Sequence, residues 1–129
     1  MLIQFSLENF LSIKDKVVLS LLASKDNEHP EHLIMDGNKS YLKSAVIYGA
    51  NASGKSNVLN AFWFMVNYVL TSHNQQLHKT IDRSPFKFDP ETPTRPSSFE
   101  VIFTTEGIRY AYGFSATDKA VTEEYLYYY

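Results

Sequence analysis

The chain, 129 residues long, contains no cysteine. Disulfide staples and thiolate metal sites are thereby excluded, a usage that fits a cytoplasmic protein. Neither sign of charge dominates: 12 Lys and Arg stand against 14 Asp and Glu, a formal net charge of −2. That excludes a global basic field for nucleic acid and leaves only local patches to look for. Long apolar runs are also missing. The richest, Ala61 to Leu70, is interrupted by Asn67 and is half the ~20 residues that span a bilayer, so a buried helix is expected there and no membrane segment. Met1 to Glu8 lacks the basic region and cleavable apolar stretch of a secretory signal. Glycine and proline number five each, and Pro85, Pro90, Pro93 and Pro96 fall together in one short stretch. That stretch is expected to be an extended connector.

What is present is ordinary for a globular chain: 44% hydrophobic and 20% charged residues, enough for one domain or part of one. Leu2 to Leu7 alternates apolar and polar positions, predicting a strand with Ile3, Phe5 and Leu7 on one face. Asn9 to Asp15 breaks the pattern, and Val17 to Leu22 resumes it as a second strand. Ser24 to Ser40, with Pro30, Gly37 and many polar residues, reads as surface loop with little regular structure. Ser44 to Tyr48 is a short apolar run ending at Gly49, the pattern of a buried parallel strand. From Ser53 to about Leu70 the residues Val58, Leu59, Phe62, Trp63, Val66, Val69 and Leu70 recur at helical spacing. Beyond the connector, in which Phe86 and Phe88 are candidate anchors, three strands are expected: Phe99 to Phe103, Ile108 to Phe114 and Val121 to Tyr129, an antiparallel meander. The expected organisation is 1–80 for strands, loop and helix, 81–98 for the connector and 99–129 for the meander. Leu126 to Tyr129 reads as a strand in mid-course, so the expectation is the first portion of a longer protein.

Between the apolar run and the helix lies Gly49-Ala50-Asn51-Ala52-Ser53-Gly54-Lys55-Ser56, which has the form GxxxxGKS. Strand, glycine-rich loop and helix is the order in which backbone N–H groups curl around phosphates and the positive end of the helix points at them. Gly49 lets the chain leave the strand sharply, and Gly54 lets the backbone approach phosphate oxygens. Lys55 is the candidate catalytic cation at the β- and γ-phosphates, and the Ser56 hydroxyl is the candidate Mg²⁺ ligand. The bland alternative is a strand-to-helix turn with a solvated lysine.

These motifs resemble the N-terminal part of an ABC-clade ATPase head, the group that includes SMC proteins and RecF, and most nearly the AAA-type ATPases of bacterial abortive-infection and anti-phage systems. Asn9-Phe10-Leu11-Ser12 after the first strand is similar to the N-F-x-S segment that lies beside the nucleotide in such heads. Gly49 to Ser56 with Asn57 is similar to G-x-N-G-S-G-K-S-N, including Asn51. The resemblance implies a P-loop NTPase fold, α/β with an antiparallel β-meander layer. It implies ATP and Mg²⁺ as cofactors, with Gly49, Asn51, Ala52, Ser53, Gly54, Lys55, Ser56, Asn57 and Ser12 as binding residues. It further implies hydrolysis by the complete protein, with this portion alone inactive, through a head-to-head homodimer that serves an effector protein or nucleic acid. The acidic Mg²⁺ strand and the signature motif of such heads are absent from these residues. Two departures stand out. Ala52 replaces a glycine, which asks the backbone to avoid positive φ there, and Leu11 replaces a basic residue, for which Lys14 is the candidate substitute.

Two other functional classes compete: a non-catalytic nucleotide-binding or regulatory module, and a P-loop small-molecule kinase or GTPase. The guanine-reading N-K-x-D segment is absent, and the connector holds only Arg83 and Arg95 where a kinase lid needs several arginines. His29 and His32, and His73 and His78, lack a neighbouring carboxylate pattern in sequence and read as solvated loop residues. The tyrosine-rich end has no interleaved Lys or Arg and reads as packing, Glu123 and Glu124 as a solvated strand end, and Tyr48 is open between packing on the loop and facing a nucleotide.

Overall fold

The computed structural model describes residues 1–25, 28–74 and 79–129. Strand β1 (Leu2–Glu8) buries Ile3, Phe5 and Leu7 on one face, as its alternation requires, and pairs antiparallel with β2 (Val17–Ser20). The turn between them is built on left-handed backbone at Asn9 (φ 55) and Leu11 (φ 53) and closed by reciprocal Phe10 and Ile13 backbone hydrogen bonds of 2.9 Å.

The stretch 24–40, expected to be loop, instead carries a hairpin. A single 3₁₀ turn (Pro30–His32) leads into β3 (Leu33–Asp36), which pairs with β4 (Lys39–Leu42) through a two-residue turn with Gly37 at φ 58. Polar residues around it mask a short apolar run, Leu33-Ile34-Met35, and the two strands bury one side chain between them, Tyr41; the Gly-Asn pair at the turn is the legible sign.

Ser44 to Tyr48 forms no strand. Strand backbone needs a partner for its N–H and C=O groups, and none of the five strands of the main sheet lies beside it. Val46 and Tyr48 are 82% and 88% exposed, which corrects the expectation of a buried parallel strand. Helix α1 (Lys55–Thr71) follows the loop and starts two residues later than the pattern suggested. It buries Val58, Ala61 and Met65 against the sheet, while Leu59 (62% exposed), Trp63 (67%) and Leu70 face outward. The sequence shows two apolar stripes, and only one has a partner among the described residues.

After residues 79–96 come β5 (Ser97–Thr105), β6 (Ile108–Ala116) and β7 (Val121–Tyr128), each antiparallel to the next. β5 and β6 are joined by Glu106 and Gly107, both at positive φ, the tight turn that suits twisted strands. β5 also pairs with β1, so the sheet order is β2-β1-β5-β6-β7 and the N-terminal strands belong to the same sheet as the meander. Across three strands, Tyr125 lies over Gly113 and donates its O–H to the Glu100 carboxylate at 2.6 Å. A Cβ on Gly113 would stand 2.5 Å from the Tyr125 ring.

The core between α1 and the sheet is aromatic. Phe5 meets Phe62 edge-on at 5.1 Å, Phe64 packs against Phe10 and Phe99, and Tyr68 packs against Phe114. Such pairs add about 0.5–1.5 kcal/mol each beyond the area they bury. No described helix is long and apolar enough to cross a membrane.

Phe88, expected to anchor the connector, is exposed. Ile81, Arg83 and Thr92 are the buried residues that do so. The Arg83 guanidinium donates to Asp118 (2.7 Å), Pro93 O (2.8 Å), Arg95 O (2.9 Å) and Ser97 Oγ (3.0 Å). An extended, proline-rich segment has few N–H groups of its own to offer, so buried side chains serve its carbonyls.

Candidate functional site

The glycine-rich loop sits at the N-terminus of α1, as its sequence order demands. Gly54 caps the helix at φ 93, a left-handed conformation that favours glycine, and a Cβ there would meet Ser12 Oγ at 2.9 Å. At Gly49 a Cβ would meet Ser53 Oγ at 2.9 Å. Both positions are crowded only by a serine hydroxyl, which can rotate aside, and the stronger demand for glycine is the left-handed conformation at Gly54. Within the loop Ser53 N donates to Ala50 O at 3.2 Å, and Asn57 N donates to Gly54 O at 3.0 Å.

No side chain caps the helix N-terminus and no acidic residue lies in its first turn, so its positive end is uncompensated from within the helix. Lys55 folds back over the loop, donating from Nζ to Gly49 O (2.6 Å) and Ala50 O (2.7 Å). Its ammonium is thus held on the carbonyls at the start of the loop. Asn51, Ala52, Ser53 and Ser56 are exposed.

Ala52 adopts φ 62, against the expectation that an alanine here keeps the backbone out of the left-handed region. The turn from Gly49 to Gly54 requires that conformation, and the alanine accepts the strain rather than reshaping the loop.

The N-terminal segment divides into two roles. Ser12 stands at the loop: its Oγ accepts from Asn57 Nδ2 at 2.7 Å. Asn9, in contrast, is buried beneath the connector. Its Nδ2 donates to Thr92 O (2.7 Å), Arg95 O (3.0 Å) and Pro96 O (3.2 Å), and its Oδ1 accepts from Phe86 N (3.0 Å). Lys14, the candidate for the missing basic residue, is engaged elsewhere, paired with Asp89 at 2.6 Å. That pairing holds the Lys14 pKa above its ordinary value, through the hydrogen bond first and the carboxylate charge second.

Several other sequence features now have places. Tyr48 is solvent-exposed. Glu124 accepts from Tyr112 O–H at 2.8 Å. The Arg109 guanidinium lies 4.8 Å over the Tyr129 ring, a cation neighbour from the adjacent strand that sequence spacing did not show. His73 is exposed in a 3₁₀ turn after α1, and His78 lies outside the described residues. His29 and His32, thought to lack a carboxylate, have Glu31 between them: its Oε1 is 3.2 Å from His29 Nδ1 and 3.6 Å from His32 Nε2. The sequence held that residue in plain view, and only the turn made it a neighbour of both rings.

Comparison with known proteins agrees with the loop's character. No curated protein matches the chain significantly. Residues 44–129, more than half of the chain, match the model of the family described as "AAA domain, putative AbiEii toxin, Type IV TA system". That span starts at the extended segment before the loop and takes in the loop, α1, the connector and β5 to β7. The chain is a member of this AAA-domain family, which places it among nucleotide-binding, ATPase-like domains.

Proposed function

We propose that the Gly49–Asn57 loop binds the phosphates of ATP with Mg²⁺. The observation that carries the reading is the Lys55 ammonium, held at 2.6–2.7 Å on two carbonyls of a loop that opens onto an uncapped helix N-terminus. A cation parked on neutral carbonyls gains more from a phosphate oxygen, where the hydrogen bond is charge-assisted. In the proposed complex Lys55 leaves Gly49 O and Ala50 O for the β- and γ-phosphates. The N–H groups of the loop and first helical turn take the remaining oxygens, and Gly54 supplies the close approach. Ser56, exposed one residue into the helix, is the hydroxyl suited to Mg²⁺, a hard cation that takes oxygen donors. Bound Mg²⁺ would offset charge on the phosphates.

Hydrolysis is proposed for the complete head, in which a carboxylate from a further strand joins Ser56 at the metal and a second head closes over the nucleotide. The SMC/RecF-like reading rests on Asn9 to Ser12 and on Gly49 to Asn57, and an abortive-infection role rests on the family. ATP binding would then drive head-to-head pairing and hydrolysis would reset it.

The test is a thermal melt of this chain with and without Mg-ATP, beside Lys55→Ala. At about 100 times its Kd a ligand adds about 2.7 kcal/mol, roughly ten degrees in a domain of this size. The expected result is a shift in the wild type and none in Lys55→Ala. Equal shifts in both proteins, or none in either, would overturn the assignment.

A further inference from the structure

We propose that His29, Glu31 and His32 form a binding site for a divalent transition-metal ion of the Zn²⁺ type, separate from the glycine-rich loop. The three side chains project from one 3₁₀ turn, and one donor atom from each lies within 4.8 Å of the other two. Zn²⁺ binds imidazole nitrogen and carboxylate oxygen at about 2.0–2.2 Å, which sets the edge of a tetrahedral donor set at about 3.3–3.6 Å. Two edges already match: 3.2 Å from His29 Nδ1 to Glu31 Oε1, and 3.6 Å from His32 Nε2 to the same oxygen. The two imidazoles stack at 5.2 Å between centroids, with both rings exposed. Both side chains are exposed, and a change of rotamer is the movement by which the last edge closes.

The backbone is held in advance. Pro30 fixes φ at the first position of the turn, and His32 N donates to His29 O at 3.0 Å. Lys43, just past β4, donates from Nζ to Glu31 O (2.7 Å) and from N to His32 O (3.3 Å), tying the turn to the hairpin. The Lys43 ammonium is hydrogen-bonded to a carbonyl, and its charge also acts on the Glu31 carboxylate, helping to hold that group ionised. Glu28 lines the same shallow cleft as His29 and His32, adding a second negative charge nearby. Two imidazoles with one carboxylate is a set suited to Zn²⁺, Cu²⁺ or Ni²⁺ and poorly suited to Mg²⁺ or Ca²⁺, which take oxygen donors. Three protein donors leave a fourth position to water or an outside ligand.

The test is a calorimetric titration of the full chain with ZnCl₂ at pH 7.5, without nucleotide or phosphate. The expected result is one Zn²⁺ per chain with a Kd in the micromolar range. His29→Ala, His32→Ala and Glu31→Gln are each expected to weaken it about tenfold or more. His73→Ala with His78→Ala should leave it unchanged, and so should Lys55→Ala. All the substituted side chains of the turn are exposed, so loss of binding with unchanged circular dichroism reports the site itself. A Kd above the millimolar range overturns the proposal, as does titration that survives His29→Ala/His32→Ala.

Discussion

Asn57 in the first turn of α1 donates its side-chain amide to Ser12 Oγ at 2.7 Å, joining two segments 45 residues apart. The same Ser12 oxygen sits where a Cβ on Gly54 would collide with it. The turn after β1 is thus part of the wall of the glycine-rich loop, and the loop's position relative to the sheet depends on this contact.

Removing it separates positioning from folding. Ser12→Ala and Asn57→Ala each remove one partner of an exposed hydrogen bond, so each should cost stability by only about 0.5–1.5 kcal/mol. ATP affinity is expected to fall several-fold in each. The double variant should be no worse than the poorer single one, because both remove the same interaction. Additive losses in ATP affinity would mean the two residues act separately.

Ala52 at φ 62 leads to a gain of stability on substitution. Left-handed backbone costs an L-residue about 1–2 kcal/mol, and glycine gives back about 0.4–1 kcal/mol through the unfolded chain. Ala52→Gly should therefore raise stability by up to about 1.5 kcal/mol, seen as a higher urea midpoint at unchanged slope. A lowered midpoint would show that the loop takes a different conformation at this residue.

Asn9 joins the first strand to the connector through its buried amide. Asn9→Ala leaves the carbonyls of Thr92, Arg95 and Pro96 and the Phe86 N–H without this partner, a loss expected to cost about 2–4 kcal/mol. Urea melts would measure it, and proteolysis should begin in residues 79–96. A cost below about 0.5 kcal/mol, the range of ordinary surface substitutions, would show that water replaces the amide freely.

Alkali should destabilise the fold. Burial, then hydrogen bonds donated to Glu124 and Glu100, push the Tyr112 and Tyr125 hydroxyls far above the ordinary tyrosine value, and burial raises Tyr68. A raised folded-state pKa favours the folded chain fully below the unfolded value of about 10. That contribution is lost as pH climbs through the raised values, because the unfolded chain releases protons that the folded chain keeps. Urea midpoints should hold up to about pH 9.5 and fall above it, less steeply in Tyr112→Phe/Tyr125→Phe. A profile level to pH 11 would contradict the partial burial and the hydrogen bonds that hold these hydroxyls protonated.

Much of the fold is legible in the sequence. The alternation at Ile3, Phe5 and Leu7, the turn at Glu106-Gly107 and the prolines of the connector specify local structure through sterics and period, which neighbours do not alter. The Ser44–Tyr48 strand was misjudged because apolar content indicates what would gain from burial, not whether a partner strand is present to provide it. The β3–β4 hairpin is hard to read from sequence because Leu33-Ile34-Met35 is a short apolar run without alternation, set in polar surroundings, and the Gly37-Asn38 turn is the clearer sign.

The site divides in the same way. GxxxxGKS at the start of an apolar-periodic helix determined by itself where the glycine-rich loop, its lysine and its serine would lie, since these follow from chain order and the needs of a left-handed cap. Tertiary structure alone decided that Ser12 and not Asn9 reaches that loop, that Asn9 and Arg83 hold the connector's carbonyls, and that Lys14 is spent on Asp89. Those are contacts between residues far apart in sequence. Which of several similar donors meets which acceptor is settled by how the sheet brings β1 beside β5, a relationship that no local pattern encodes.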